Sequence, residues 1–161
     1  MLEAIIFTDG SSGKNKLGGY AAIVLTENEQ YVIRGSEVKT TNNRMELLAA
    51  IKALESLNES YFITLVSDST YMVYAIEKQW YPRWLEKPHN RPNLDLWMQI
   101  SDLLKFHKVK IIHVRGHSDN KLNNMVDKLA VESRKKQIEY TKEDFEIYES
   151  LGEVKRMVMP K

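Results

Sequence analysis

Residues 30 to 58 read QYVIRGSEVKTTNNRMELLAAIKALESLN, and the hydrophobic period changes inside them. Through Thr40 the residues suit a strand. Beyond it, Leu47, Ala50, Ile51, Leu54 and Leu57 recur at helical spacing, with Thr or Asn available as an N-cap. Upstream, YAAIVLT (20–26) is a second strand, joined to the first through a tight turn at 27–29, and AIIFTD (4–9) is a third. The three make an antiparallel meander, with GSSGKNKLGG (10–19) as a loop.

Downstream, YFITLVSDS (61–69) is a buried strand followed by a helix to about Gln79. Residues 80–93, WYPRWLEKPHNRPN, hold three of the four prolines and are expected to be largely loop. Leu94 to His107 is expected to be helical, KVKIIHVRG (108–116) a fifth strand, and Asn123 to Gln137 a last amphipathic helix. The order β-β-β-α-β-α-α-β-α specifies an α/β fold: a five-stranded mixed sheet, antiparallel meander plus parallel strands, with helices on both faces. The chain divides into a domain at 1–137 and a C-terminal extension at 138–161. In the extension, Thr141 and Asp144 form a capping-box pattern and Gly152 is a stop signal. These predict a short helix docked on the same domain through Phe145 and Tyr148.

Composition narrows the function classes. The 161 residues are 43% hydrophobic and 28% charged, as in a soluble globular domain. No apolar stretch is long enough for a membrane span. The opening MLEAIIFTDG lacks a basic n-region, so no secretory leader is expected and the cytoplasm is the expected location. Without cysteine there are no disulfides or thiolate metal sites. Net charge is only +1, with the mild basic excess in the body and an acidic tail.

Four acids fall where a core-building sequence would not put them. Asp9 and Asp68 close apolar strands, Glu46 shares a helix face with Ala50, Ala53 and Leu57, and Asp127 edges the apolar stripe of the last helix. Singly, each has an ordinary reading: Asp9 as a turn former, Asp68 as a cap, Asp127 as a solvated edge. Brought together at one end of a mixed sheet, four carboxylates could not all ionise without a counter-cation. All-oxygen ligands suit Mg²⁺ or Mn²⁺.

FTDGSS, TTNNRMELLAAIKAL, VSDSTYMV and VRGHSDNKLNNMVDKLA, in this order, resemble the motifs of type 1 ribonuclease H across residues 1–137. The resemblance implies the ribonuclease H-like fold. It also implies an endonuclease that hydrolyses the RNA strand of RNA–DNA hybrids with two Mg²⁺ ions, Mn²⁺ being able to substitute, and leaves 5′-phosphate and 3′-hydroxyl ends. Asp9, Glu46, Asp68 and Asp127 match the metal-binding acids, and His117 a loop histidine tied to proton transfer or product release. Asn15, Asn42 and Asn43 match contacts to the RNA strand, Thr41 and Asn93 a DNA-phosphate pocket, and Trp80 and Trp84 the DNA channel. A monomer is expected, with no membrane partner.

Three departures stand out. The basic excursion after the tryptophans is short, Thr70 replaces a frequent glutamine, and the glycine often found two residues after the histidine is absent. The SRKKQ cluster at 133–137 is read as cations placed at a helix C-terminus. His89, His107 and His113 match nothing in the family and are read as packing or surface residues. A non-catalytic hybrid-binding module is disfavoured because all four acids are present. A proofreading exonuclease is disfavoured by Gly-Ser after Asp9, and a transposase by aspartate at position 127.

Overall fold

The computed structural model describes residues 2–115 and 120–158. Strands β1 (Glu3–Ser12), β2 (Gly18–Thr26) and β3 (Gln30–Glu37) form the expected meander, followed by helix α1 (Asn42–Glu55) and strand β4 (Phe62–Ser67). Then come α2 (Thr70–Glu77), α3 (Tyr81–Glu86), α4 (Leu94–Phe106), β5 (Lys108–His113) and α5 (Lys121–Lys136). The last described elements are β6 (Thr141–Asp144) and α6 (Leu151–Val158). The sheet order is β5-β4-β1-β2-β3-β6. β1 runs antiparallel to β2 and parallel to β4, so the sheet is mixed as expected.

The apolar runs are continuous because both faces of the central strands are covered. Ala4 and Ile6 of β1 face one core with α1, α2 and α4, around the fully buried Trp97. Ile5 and Phe7 face a second core with Val126 and Ala130 of α5 and Val154 and Val158 of α6. Thr41 caps α1, its Oγ1 accepting from the Arg44 amide at 3.2 Å.

Four expectations need correction. Among the described residues the sheet has six strands, because the Thr141–Asp144 stretch pairs antiparallel with β3, Tyr31 opposite Asp144 and Arg34 opposite Thr141. The open edge of β3 offers unpaired backbone groups, and they outcompete the capping-box pattern. Gly152 does not stop a helix; it is the second residue of α6, where the Ser150 hydroxyl accepts from the Glu153 amide. Phe145 packs on the second core, whereas Tyr148 is 90% exposed and docks nowhere. Finally, residues 81–86 form α3 despite Pro82, which stands in the first turn, where its missing N–H costs nothing.

His107 is buried and structural: Nδ1 accepts from the Tyr61 amide and Nε2 donates to the Leu54 carbonyl, each at 3.1 Å. His89 and His113 are exposed. Among the described residues no helix is long and apolar enough to cross a membrane.

The extension contributes Ile147, Val154 and Val158 to the second core. A chain ending at Gln137 should therefore fold but unfold more easily, by about 2 kcal/mol, after the extension's own ordering entropy offsets most of its apolar burial. Urea denaturation of the two chains measures the difference. An unchanged midpoint would show that the extension is energetically idle.

Candidate active site

Parallel pairing sets the geometry of the acids. Phe7 lies opposite Val66, so two residues further along each strand Asp9 and Asp68 emerge side by side. Glu46 arrives from α1, which crosses β1 closely at Gly10. A Cβ on Gly10 would lie 2.4 Å from the Glu46 amide nitrogen and 2.5 Å from the Met45 carbonyl carbon. Only glycine allows that approach.

Carboxylate oxygens of Asp9, Glu46 and Asp68 lie within 4.8 Å of one another. Asp127, on α5, lines the same cleft of about 370 Å³ together with Asn42, Asn43, Ser69, Thr70 and Tyr71. Asp9 and Glu46 are each only 4% exposed, and Glu46 Oε1 is shielded from solvent with no hydrogen-bond partner among the described residues. Burial, the neighbouring Asp127 carboxyl and the charge of Asp68 push Asp9 up to about 8. Burial, then the charges of Asp9 and Asp68, holds Glu46 well above the ordinary carboxylate range. Burial also raises Asp68. Such a cluster ionises fully only against positive charge.

The donor set therefore fits a hard divalent cation. It is all oxygen, it converges, and one oxygen lacks a partner among the described residues. Bound ions there would supply Lewis acidity and a lowered pKa for coordinated water.

The other expected residues spread outward from this centre. Asn42 and Asn43, in the first turn of α1, lie in the cleft wall, whereas Asn15 is exposed in the turn at 13–17. Asn93 is the left-handed N-cap of α4, φ 65°. Its amide donates to the Tyr71 hydroxyl at 3.1 Å and its carbonyl oxygen accepts from Arg44 Nη1 at 3.3 Å. Since the Arg44 amide is also capped by Thr41, one arginine ties Thr41 to Asn93. Trp80 is 41% exposed; Trp84 is half-buried and stacks on Tyr71 with ring centres 6.0 Å apart. His117 lies outside the described residues.

Two residues of this network escaped the sequence reading. Tyr71 reaches the cleft, Asn93, Trp84 and Trp97, whose indole donates to its hydroxyl at 2.9 Å. Its position three residues after Asp68, on a helix whose first turn faces the acids, was the available signal. Arg44 grips both oxygens of Asp95 at 3.0 and 2.7 Å, a contact between residues far apart in sequence that no local pattern reveals.

Comparison with known proteins places the chain. A family model described as RNase H matches residues 2–135. The chain is 41% identical over 137 residues to the ribonuclease H of Caldicellulosiruptor saccharolyticus, covering 81% of this chain and 94% of that protein. To the ribonuclease H of Chlorobaculum parvum it is 44% identical over 132 residues, 78% of this chain and 90% of that one. In fold it is similar to LC9-RNase H1, described as a type 1 RNase H with the type 2 active-site motif. The TM-score is 0.78 at 24% identity, covering 90% of this chain and 78% of that chain.

Proposed function

Because the chain belongs to the ribonuclease H family, we propose that it is an endonuclease hydrolysing the RNA strand of RNA–DNA hybrids. In this reading Asp9, Glu46, Asp68 and Asp127 hold two divalent ions, Mg²⁺ with Mn²⁺ as a substitute. Ions held there would supply Lewis acidity to the scissile phosphodiester and a lowered pKa for coordinated water, and hydrolysis would leave 5′-phosphate and 3′-hydroxyl ends. The enzyme works as a cytoplasmic monomer, and residues 1–137 form its catalytic domain with 138–161 as an added support.

One observation carries the reading: three carboxylates with oxygens within 4.8 Å of one another, two of them buried, on a cleft open to solvent. The chain's own residues then divide the work. Asn42 and Asn43 present amides, able both to donate and to accept, to the 2′-hydroxyls that distinguish RNA. Thr41 and Asn93, linked through Arg44, support the DNA-strand phosphate. Trp80 and Trp84 give the DNA strand aromatic faces to pack against. His117, an imidazole able both to accept and to donate a proton, carries the proton transfer.

Cleavage of an end-labelled hybrid in Mg²⁺, Mn²⁺ and EDTA, beside single- and double-stranded RNA, tests this. Internal cuts confined to the RNA strand of the hybrid are expected, in either metal and not in EDTA. Tight hybrid binding with no cuts in either metal would make the protein a recognition module instead.

A further inference from the structure

We infer that Arg134 holds a phosphate of the RNA strand, a substrate contact that rests on the hybrid-cleaving reading above. Arg134 stands two turns beyond Asp127 on the same face of α5, roughly 10 Å along the helix. Its Nε donates to Ser11 Oγ at 2.9 Å. Ser11 in turn stands two residues beyond Asp9 on the same face of β1, roughly 7 Å along the strand. Asp9 and Asp127 thus form one rung between β1 and α5, and Ser11 and Arg134 form the next.

The guanidinium also lies over Gly13, where a Cβ would come within 2.8 Å of Nη1. Gly13 opens the turn that exposes Lys14, Asn15 and Lys16. That turn is closed by the Gly13 amide on the Leu17 carbonyl and tethered by the Thr40 amide on the Lys16 carbonyl, each at 2.9 Å. Arg134 is therefore half-buried, oriented through one nitrogen, and beside the same turn as Asn15. Among the described residues it pairs with no carboxylate.

Placement at a helix C-terminus explains a cation in this turn of α5, and exposed Lys135 and Lys136 satisfy that preference. It does not explain a guanidinium fixed by Ser11 against the strand that carries Asp9. A half-buried, pre-oriented arginine without an acid partner is suited to an external anion, and its planar fork matches phosphate. The phosphate it holds is then a neighbour of the scissile one on the same strand and not the scissile one itself. This contact offsets part of the charge missing from the short basic excursion.

Steady-state cleavage of a hybrid across a range of salt concentrations, with the parent, R134A and R134K, tests the assignment. R134A should raise KM about five- to tenfold with kcat little changed, and reduce the logarithmic salt slope of kcat/KM by about 0.7 to 0.9. R134K should restore the slope and only part of the KM. A single uncharged methylphosphonate linkage, walked along the RNA strand, should weaken the parent at one position and leave R134A indifferent there. That comparison needs no altered fold in the parent. A parent-like KM and salt slope in R134A, or no linkage whose neutralisation the variant masks, would overturn the assignment. A parent that cuts no hybrid would instead remove the underlying reading, and this contact with it.

Discussion

An Asp9→Asn protein should cut the hybrid at least about 10³-fold more slowly than the parent in Mg²⁺, yet melt at a higher temperature than the parent in EDTA at pH 8. The first half follows from the site. Asp9 lies between Glu46 and Asp68, and losing its charge removes several kcal/mol of metal-borne transition-state stabilisation. The second half follows from linkage. Asp9 titrates near 8 in the folded chain against 3.8 for a free aspartate, because of burial first and its acidic neighbours next.

Its folded pKa is raised, so between these values the folded state holds a proton that the unfolded state has released. The associated stability is fully present below about pH 4 and is lost as pH rises through 8. Across that window the metal-free parent should lose up to about 1.4 kcal/mol per pH unit for each such proton, and Glu46 and Asp68 act in the same direction. Asparagine resembles the protonated acid and removes the Asp9 part. Melting curves from pH 5 to about 9 in EDTA read the effect directly. Added Mg²⁺ should rescue the parent at high pH and leave the variant almost unmoved. A variant less stable than the parent at pH 8 without metal would refute the electrostatic account even if activity were lost.

The second large effect is expected at a residue with no functional group. Gly10→Ala would place a methyl 2.4 Å from the Glu46 amide nitrogen and 2.7 Å from Met45 Cβ. These are mostly main-chain atoms of a packed helix and cannot swing aside. Either α1 lifts from β1 or the strand bends, at about 3 kcal/mol or more. Both responses carry Glu46 away from Asp9, so activity should fall by at least about 10²-fold. Denaturation midpoints together with cleavage rates in saturating Mg²⁺ test this. A Gly10→Ala enzyme that is destabilised but fully active would show that the acids tolerate a looser approach of α1.

Local patterns made most of the architecture legible. The strand runs at 4–9, 20–26 and 61–69 and the helical spacing after Thr41 reflect burial, and burial dominates the choice of local structure. Elements that owe their existence to pairing were not legible. TKED at 141–144 is polar, without strand alternation, and becomes β6 only because the edge of β3 lies open beside it. The α3 turn was hidden by its prolines, although Pro82 at the start of a helix is harmless. Gly152 carried a stop signal that the docking of Val154 and Val158 overrode.

At the candidate site the division is similar. Asp9, Glu46, Asp68 and Asp127 stood out because charge on an apolar frame is costly, and that cost is visible in one dimension. Their oxygen chemistry, and with it the class of ion they suit, was also written in residue types. Tertiary structure alone decided the parallel register that sets Asp9 beside Asp68, the glycine contact that admits Glu46, and the rung that fixes Arg134 on Ser11. Sequence patterns report which residues must leave water. Which of them then meet depends on strand register and helix approach, set by close packing between segments that are remote along the chain.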